Sequence, residues 1–166
     1  MMVQWPVARE ERGDMAIQGV LVRQLSVHAD ERGRLMEILR RDDPAFRAFG
    51  QVYMTSVFPG VVKGWHYHRE QWDHFAVVHG TVKMVLYDRR PDSPSKGDLM
   101  ELYPGVHNPM LVVIPPEVAH GFKGVGTAEA IVVNVPTEPY HAQDPDEYRI
   151  DPHGPEIPYD WSLKDR

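Results

Sequence analysis

The run Lys63-Gly64-Trp65-His66-Tyr67-His68 carries two histidines that stand two residues apart. Side chains at positions i and i+2 of a β-strand point to the same face, so a strand here aims both imidazoles into one space. Asp73 follows after a short turn, and His120 comes on a strand much later in the sequence. The sequence therefore predicts that three imidazoles and one carboxylate converge at one place.

Short runs rich in β-branched and aromatic residues, separated by Gly and Pro turn signals, predict an all-β chain. The predicted strands cover residues 20–27, 34–39, 51–58, 74–79, 81–87, 110–114 and 129–135. One helical turn is predicted at 43–47, with Asp43 as its cap and Pro44 at its first position. Many short antiparallel strands at this spacing indicate a jelly-roll barrel or a sandwich.

Length and composition bound the kind of protein. The chain has 166 residues, and we expect a single domain with residues 1–15 as a loose arm and 137–166 as an irregular tail over the barrel surface. A net charge of −6 argues against a nucleic-acid partner, and the absence of cysteine excludes disulfides and thiolate metal sites. No signal peptide or membrane-spanning run is visible, so we expect a cytoplasmic protein with no membrane partner.

The four converging side chains allow three interpretations. His66, His68, Asp73 and His120 supply three nitrogens and a carboxylate, a set that suits one divalent first-row metal ion. Their spacing matches the motif of metal-binding cupin barrels, with Asp73 where a glutamate is usual. A neutral histidine can instead be a general base near pH 7 without any metal. The third interpretation is that the side chains only pack and form hydrogen bonds on the barrel wall.

Five further motifs occur in order between Leu25 and Asp151. They are Asp30-Glu31-Arg32-Gly33 followed by Glu37, Phe49-Gly50-Gln51, Lys63-Gly64-Trp65-His66-Tyr67, Ser93-Pro94-Ser95-Lys96-Gly97, and the strand from Ile114 to Phe122 that contains Ala119-His120-Gly121. Together they resemble the dTDP-4-dehydrorhamnose 3,5-epimerase family, one branch of the cupins. The resemblance implies an all-β fold of the cupin type, a jelly roll or double-stranded β-helix barrel.

The resemblance also implies an activity and a set of site residues. The substrate would be a nucleotide-linked 4-keto-6-deoxyhexose, whose ketone acidifies the protons on the carbons next to it. His66 would be the base that removes such a proton, and Asp165 would orient it. No cofactor would be needed, and the protein would be a homodimer with strand exchange between barrels. The implied substrate-binding residues are Arg32, Glu37, Gln51, Lys63, His68, His120, Asn134 and Tyr140.

Three positions depart from the family pattern. Asp73 stands where the family has a lysine near the enolate, Asn134 where it has an acidic tyrosine, and His68 where a glutamine is common. Because an amide cannot supply a phenolic proton, we expect exchange at one carbon to dominate. Sugar-nucleotide isomerisation is the leading prediction. The alternatives are a metal-dependent cupin enzyme (a dioxygenase or a metal-assisted isomerase) and a non-catalytic sugar-nucleotide-binding protein.

Overall fold

A computed structural model describes residues 17–164. This part of the chain forms β-strands and turns, and it contains no helix long and apolar enough to cross a membrane. Its strands are β1 (Leu21–Gln24), β2 (Val27–Asp30), β3 (Gly33–Met36), β4 (Tyr53–Val57), β5 (Val62–Tyr67), β6 (Asp73–His79), β7 (Thr81–Asp88), β8 (Leu99–Leu102), β9 (Met110–Ile114), β10 (Val118–Val125), β11 (Ala130–Asn134) and β12 (Tyr148–Arg149).

The strands form two five-stranded antiparallel sheets and one separate hairpin. The first sheet has the order β1-β9-β6-β11-β4, and the second has the order β12-β5-β10-β7-β8. Strands β2 and β3 pair only with each other. One apolar core contains residues from both large sheets, including Phe75 and Val112 from the first and Met84 and Phe122 from the second.

Alternation along β7 explains how the second sheet is buried on both faces. Met84 and Leu86 belong to the core shared by the two sheets, whereas Val85 belongs to a second cluster with Trp65. Since neighbouring side chains of a strand point to opposite faces, this second cluster lies on the outer face of the sheet. The alternation that the sequence predicts for this strand is therefore present.

The C-terminal segment covers that outer face. Ile150, Ile157 and Trp161 are buried in the same cluster as Trp65. Two lysines form hydrogen bonds to the end of the segment. Lys83 Nζ donates to the Ser162 carbonyl at 2.9 Å, and Lys123 Nζ donates to the Trp161 carbonyl at 2.8 Å. The sequence predicted no strand in this region. In the structure β12 pairs with β5 there, and the pairing is too short to leave a periodic pattern.

Other elements also differ from their predictions. The strand expected at 20–27 is divided between β1 and β2, and β8 was not predicted because its sequence Leu99-Met100-Glu101-Leu102 has no β-branched residue. The helical turn predicted at 43–47 is a simple turn. In it the Phe46 N–H donates to the Asp43 carbonyl at 2.9 Å and the Ala45 N–H donates to the Asp43 carboxylate at 2.8 Å. The arm predicted at 1–15 lies outside the described residues.

Candidate functional site

Strands β5 and β10 bring two of the histidines face to face. His66 is the register partner of His120, and their ring centroids are 4.1 Å apart. The two strands approach closely because each carries a glycine at the contact. A Cβ added to Gly64 would lie 2.9 Å from the Gly121 Cα, and the reverse distance is also 2.9 Å. Glycine is therefore required at both positions, because the strands that carry His66 and His120 pack too closely for a side chain.

His68 and Asp73 complete the cluster. Asp73 is the first residue of β6, and its Oδ2 lies 3.1 Å from His120 Nε2 and 3.2 Å from His68 Nε2. The ring of His68 is 5.4 Å from that of His66, centroid to centroid. One ligand atom from each of the four residues falls within 4.8 Å of all the others. The convergence predicted from the spacing of the sequence is thus present in the structure.

Two amide side chains surround the carboxylate of Asp73. Gln71 Nε2 donates to Asp73 Oδ1 at 2.9 Å, and Asn134 Nδ2 donates to the same oxygen at 2.8 Å. The orientation of the Asn134 amide is set by its Oδ1, which accepts the backbone N–H of His74 at 2.9 Å. Asn134 therefore stabilises the carboxylate of Asp73 by a hydrogen bond. Its amide is not an acid that could transfer a proton to a substrate.

Burial and neighbouring charges set the protonation of the cluster. Burial, reinforced by His120, holds the pKa of His66 well below its usual range, although the charge of Asp73 opposes the shift. Burial on its own would raise the pKa of Asp73, but the rings of His120 and His68 outweigh it and keep that pKa low. His66 is therefore a neutral imidazole beside an ionised carboxylate.

The sequence did not identify Tyr53 as a site residue, yet its phenol lies beside the cluster. Tyr53 on β4 is the register partner of Asn134, whose Nδ2 donates to the Tyr53 hydroxyl at 3.0 Å. Although Tyr53 is 40% exposed, the partial burial of its phenol, with a smaller effect from the charge of Asp73, raises its pKa to about 12, so the phenol keeps its proton near neutral pH. Only strand register could have revealed this pair, because the two residues are 81 positions apart.

The recorded contacts of three other predicted substrate-binding residues are with groups outside the four-residue cluster. Lys63 Nζ donates to the Thr55 hydroxyl at 2.9 Å, and Thr55 shares a strand face with Tyr53. Gln51 precedes the same strand, and its N–H donates to the Pro136 carbonyl at 3.4 Å. Tyr140 is 62% exposed and lines a cleft of about 530 Å³. That cleft also contains Arg149, the register partner of His66.

Arg32 and Glu37 are not brought to the cluster by this chain. Arg32 lies at the turn between β2 and β3, where its side chain is 85% exposed and pairs with Asp30. Glu37 is also exposed and lies 4.0 Å from Arg40. Asp165, predicted to orient His66, lies outside the described residues.

Asp146 positions the loop of His68, although no sequence motif identified it as a site residue. Its carboxylate accepts the backbone N–H groups of Arg69, Glu70 and Gln71 at 2.8, 2.9 and 3.0 Å. Its carbonyl lies against Nδ1 of His68. The irregular C-terminal segment therefore does more than cover the sheet, because it fixes the ring of one cluster histidine.

Comparison with known proteins places the chain among sugar-nucleotide epimerases. A sequence model of dTDP-4-dehydrorhamnose 3,5-epimerases matches residues 14–166. A probable low-salt glycan biosynthesis epimerase, Agl13 from Haloferax volcanii, is 41% identical over 150 residues, which cover 89% of this chain and 96% of that protein.

Two solved structures share the fold. The crystal structure of a dTDP sugar isomerase from Desulfovibrio desulfuricans is 34% identical, with a TM-score of 0.84 over 90% of this chain and 94% of that one. A dTDP-6-deoxy-D-glucose-3,5-epimerase from Legionella pneumophila, in complex with dTDP-4-keto-L-rhamnose, is 26% identical, with a TM-score of 0.76 over 89% of this chain and 80% of that one. The all-β fold class predicted from the sequence is confirmed.

Proposed function

This chain belongs to the dTDP-4-dehydrorhamnose 3,5-epimerase family, and we propose that it epimerises a carbon next to the ketone of a nucleotide-diphospho-4-keto-6-deoxyhexose. The observation that carries the proposal is a half-buried His66 with a lowered pKa, among polar groups at the motif that matches the base of the family. The complex of the Legionella relative with dTDP-4-keto-L-rhamnose supports this class of substrate.

His66 is the proposed base. A general base must be unprotonated when substrate arrives, and burial keeps the imidazole of His66 in that state. His66 also makes no side-chain hydrogen bond to any other residue in the range 17–164. Its lone pair is therefore not already committed to a donor in that range, and it can accept a proton from carbon.

Tyr53 is the proposed proton donor. It extends from β4 in the first sheet, whereas His66 extends from β5 in the second. A sugar ring held between the sheets would meet the imidazole on one face and the phenol on the other. Removal of a proton from one face and its return from the other inverts the carbon. Tyr53 would thus act in place of the tyrosine that is missing at position 134, where the amide of Asn134 cannot supply a phenolic proton.

Two other functions predicted from the sequence, a dioxygenase and a non-catalytic binding protein, have less support. A dioxygenase would use the same four side chains, but the relatives compared above are sugar epimerases or isomerases. A non-catalytic binding protein was suggested by the absence of a tyrosine at position 134 and of a lysine at position 73. The phenol of Tyr53 beside Asn134 argues against the first of these two reasons.

We also propose that the protein is a cytoplasmic homodimer. The hairpin of β2 and β3 stands apart from both large sheets and exposes apolar side chains, among them Leu35. Arg32 at the tip of that hairpin has no role in the cluster of its own chain. Association of two chains would cover these surfaces.

The direct test is to incubate the protein with dTDP-4-keto-6-deoxyglucose and to identify the products by NMR after reduction of the ketone. The proposal expects sugars inverted at C3, at C5 or at both. Recovery of only the starting stereochemistry, from protein that binds the nucleotide sugar, would instead support a binding protein.

A further inference from the structure

The cluster contains a buried carboxylate whose only neighbouring basic groups in the described residues are two histidine rings. Asp73 is 1% exposed, and it forms no ion pair with a lysine or arginine in the described part of the chain. Its Oδ1 accepts hydrogen bonds from Gln71 and Asn134. Its Oδ2 instead faces the Nε2 atoms of His68 and His120, at 3.2 and 3.1 Å. A buried negative charge of this kind requires a compensating cation.

The tautomers of the two rings follow from their other contacts. Nδ1 of His120 lies 3.0 Å from the Val118 carbonyl, and Nδ1 of His68 lies against the Asp146 carbonyl. A carbonyl only accepts, so each Nδ1 carries the hydrogen, and a neutral ring then has its lone pair on Nε2. Gln71 Nε2 donates to Asp73 Oδ1 at 2.9 Å and lies 3.2 Å from His68 Nε2, so this amide borders both groups.

Nε2 of His68, Nε2 of His120 and one carboxylate oxygen of Asp73 are therefore potential ligand atoms, within 4.8 Å of one another. Nε2 of His120 is buried without a hydrogen bond in residues 17–164, although it is 3.1 Å from Asp73 Oδ2.

We infer that His68, Asp73 and His120 bind one divalent first-row transition-metal ion. Metal–ligand bonds of about 2.1 Å at angles of 90° to 109° separate neighbouring ligand atoms by about 3.0 to 3.4 Å. The separations of 3.1 and 3.2 Å in the cluster fall in that range. Nδ1–H groups that donate to backbone carbonyls are also the usual outer contacts of metal-binding histidines. Two imidazoles and a carboxylate suit such an ion.

This ion explains why a carboxylate can replace the lysine that the family has near the enolate. An ion held by His68, Asp73 and His120 would supply positive charge beside a developing enolate oxygen, in place of the lysine. These three ligands leave His66 free to act as the base. Unlike His68 and His120, the ring of His66 has no hydrogen bond to a backbone carbonyl among the described residues. The catalytic use of the ion rests on the proposed function, whereas its binding does not.

The test measures metal binding in the absence of substrate. Protein stripped with chelator is titrated with Zn²⁺ by calorimetry and with Co²⁺ by visible absorption. We expect one equivalent to bind to the wild type and to His66→Asn. We expect affinity to fall about 100-fold or more in Asp73→Asn and in His68→Gln. His79→Gln, an exposed histidine on β6, is the matched control and should bind normally.

Binding of less than a tenth of an equivalent of either ion by the folded wild type would overturn the inference. Unchanged affinity in both ligand variants would also overturn it, and loss of binding in His66→Asn would overturn the assignment of a free base. Circular dichroism shows whether each variant is folded. If Asp73→Asn does not fold, His68→Gln provides the test of the metal ligands. Metal binding without epimerisation would count against the proposed function alone, and epimerisation by protein that cannot bind metal would count against this inference alone.

Discussion

At the scale of single residues, the site depends on which groups carry protons. His66 is held neutral by burial, and Tyr53 is held protonated by burial and by the nearby charge of Asp73. One group can therefore accept a proton at the pH at which the other can give one. This division between acceptor and donor is what inversion by a base on one face and an acid on the other requires.

Replacement of Tyr53 should separate proton removal from inversion. Tyr53→Phe removes the hydroxyl and leaves His66 in place, so we expect epimerised product to fall by about 10²-fold or more. Deuterium exchange at the same carbon should persist, because His66 can still remove a proton and return a deuteron to the same face. NMR of the products and mass spectrometry of the substrate measure the two effects. Met54→Leu, at the exposed residue next to Tyr53, is the control. An equal loss of epimerised product in both variants would contradict the role of the phenol.

The residues of the site differ in how far the sequence could predict them. The spacing of His66, His68 and Asp73 around a strand and a turn was enough to predict their convergence, because strand periodicity is local. The pairing of Tyr53 with Asn134 could not be predicted, since it depends on the register of β4 against β11. The contact of Asp146 with His68 likewise depends on the path of an irregular segment with no periodic signal.

At the scale of elements, the Ser-Pro-x-x-Gly motif lies in the loop between β7 and β8, where its serines form hydrogen bonds to Asp88. Asp88 is fully buried and accepts hydrogen bonds from Arg90, Ser93 and Ser95 at 2.5 to 2.8 Å. Burial alone would raise the pKa of Asp88, but these donors outweigh it and hold the pKa well below its usual range. The φ of +85° at Gly97 explains the glycine at the end of the motif.

The buried carboxylate makes a prediction about stability and pH. A carboxyl group with a lowered pKa stabilises the fold above its unfolded pKa of about 3.9, and this contribution is lost as the pH falls toward the folded value. We expect Asp88→Asn to lower the free energy of unfolding by about 3 kcal/mol at pH 7. The difference from the wild type should shrink below about pH 4. Urea denaturation at several pH values measures it, and a difference that is constant from pH 7 to pH 3 would show that ionisation of Asp88 is unimportant.

The contact between β5 and β10 makes a second prediction at this scale. In Gly121→Ala the new Cβ would come 2.9 Å from both the Gly64 Cα and the Lys63 carbonyl oxygen, so the backbones must move apart. We expect a loss of about 1–3 kcal/mol in stability. Activity should also fall, because the same contact holds His66 against His120.

A matched control for this substitution is Gly154→Ala, whose Cβ would meet the Asp151 side chain at 3.1 Å. Thermal denaturation and turnover of both variants measure the effects. If Gly121→Ala were as stable and active as Gly154→Ala, close packing of the two strands would not be what positions the histidines.

At the scale of the whole molecule, we predict a dimer formed through the β1–β3 region. Light scattering should give about 38 kDa, twice the 19.0 kDa of one chain. Leu35→Lys, on the hairpin and 64% exposed, should shift the mass toward one chain because it places a charge in the interface. Leu163→Lys, 67% exposed on the C-terminal segment, should not. A wild-type mass of 19 kDa at micromolar concentration would contradict the dimer.

The architecture of the molecule was easier to predict than its details. Alternation in runs such as 81–87 and frequent Gly and Pro turns were sufficient for an all-β chain, because both are local properties of the sequence. They did not reveal that the C-terminal segment from Tyr148 to Trp161 joins the outer core. That packing is tertiary, and it depends on the burial of Trp65 and Trp161 against each other at 4.8 Å between ring centroids.

The central claim is that His66 removes a proton from the carbon next to a ketone of a nucleotide sugar. The most direct measurement is deuterium incorporation into dTDP-4-keto-6-deoxyglucose in heavy water, followed at C3 and C5 by NMR. We predict rapid incorporation at one or both carbons with the wild type, and a rate about 10²–10⁴-fold lower with folded His66→Asn. No incorporation by the wild type, or an undiminished rate in the variant, would contradict the claim.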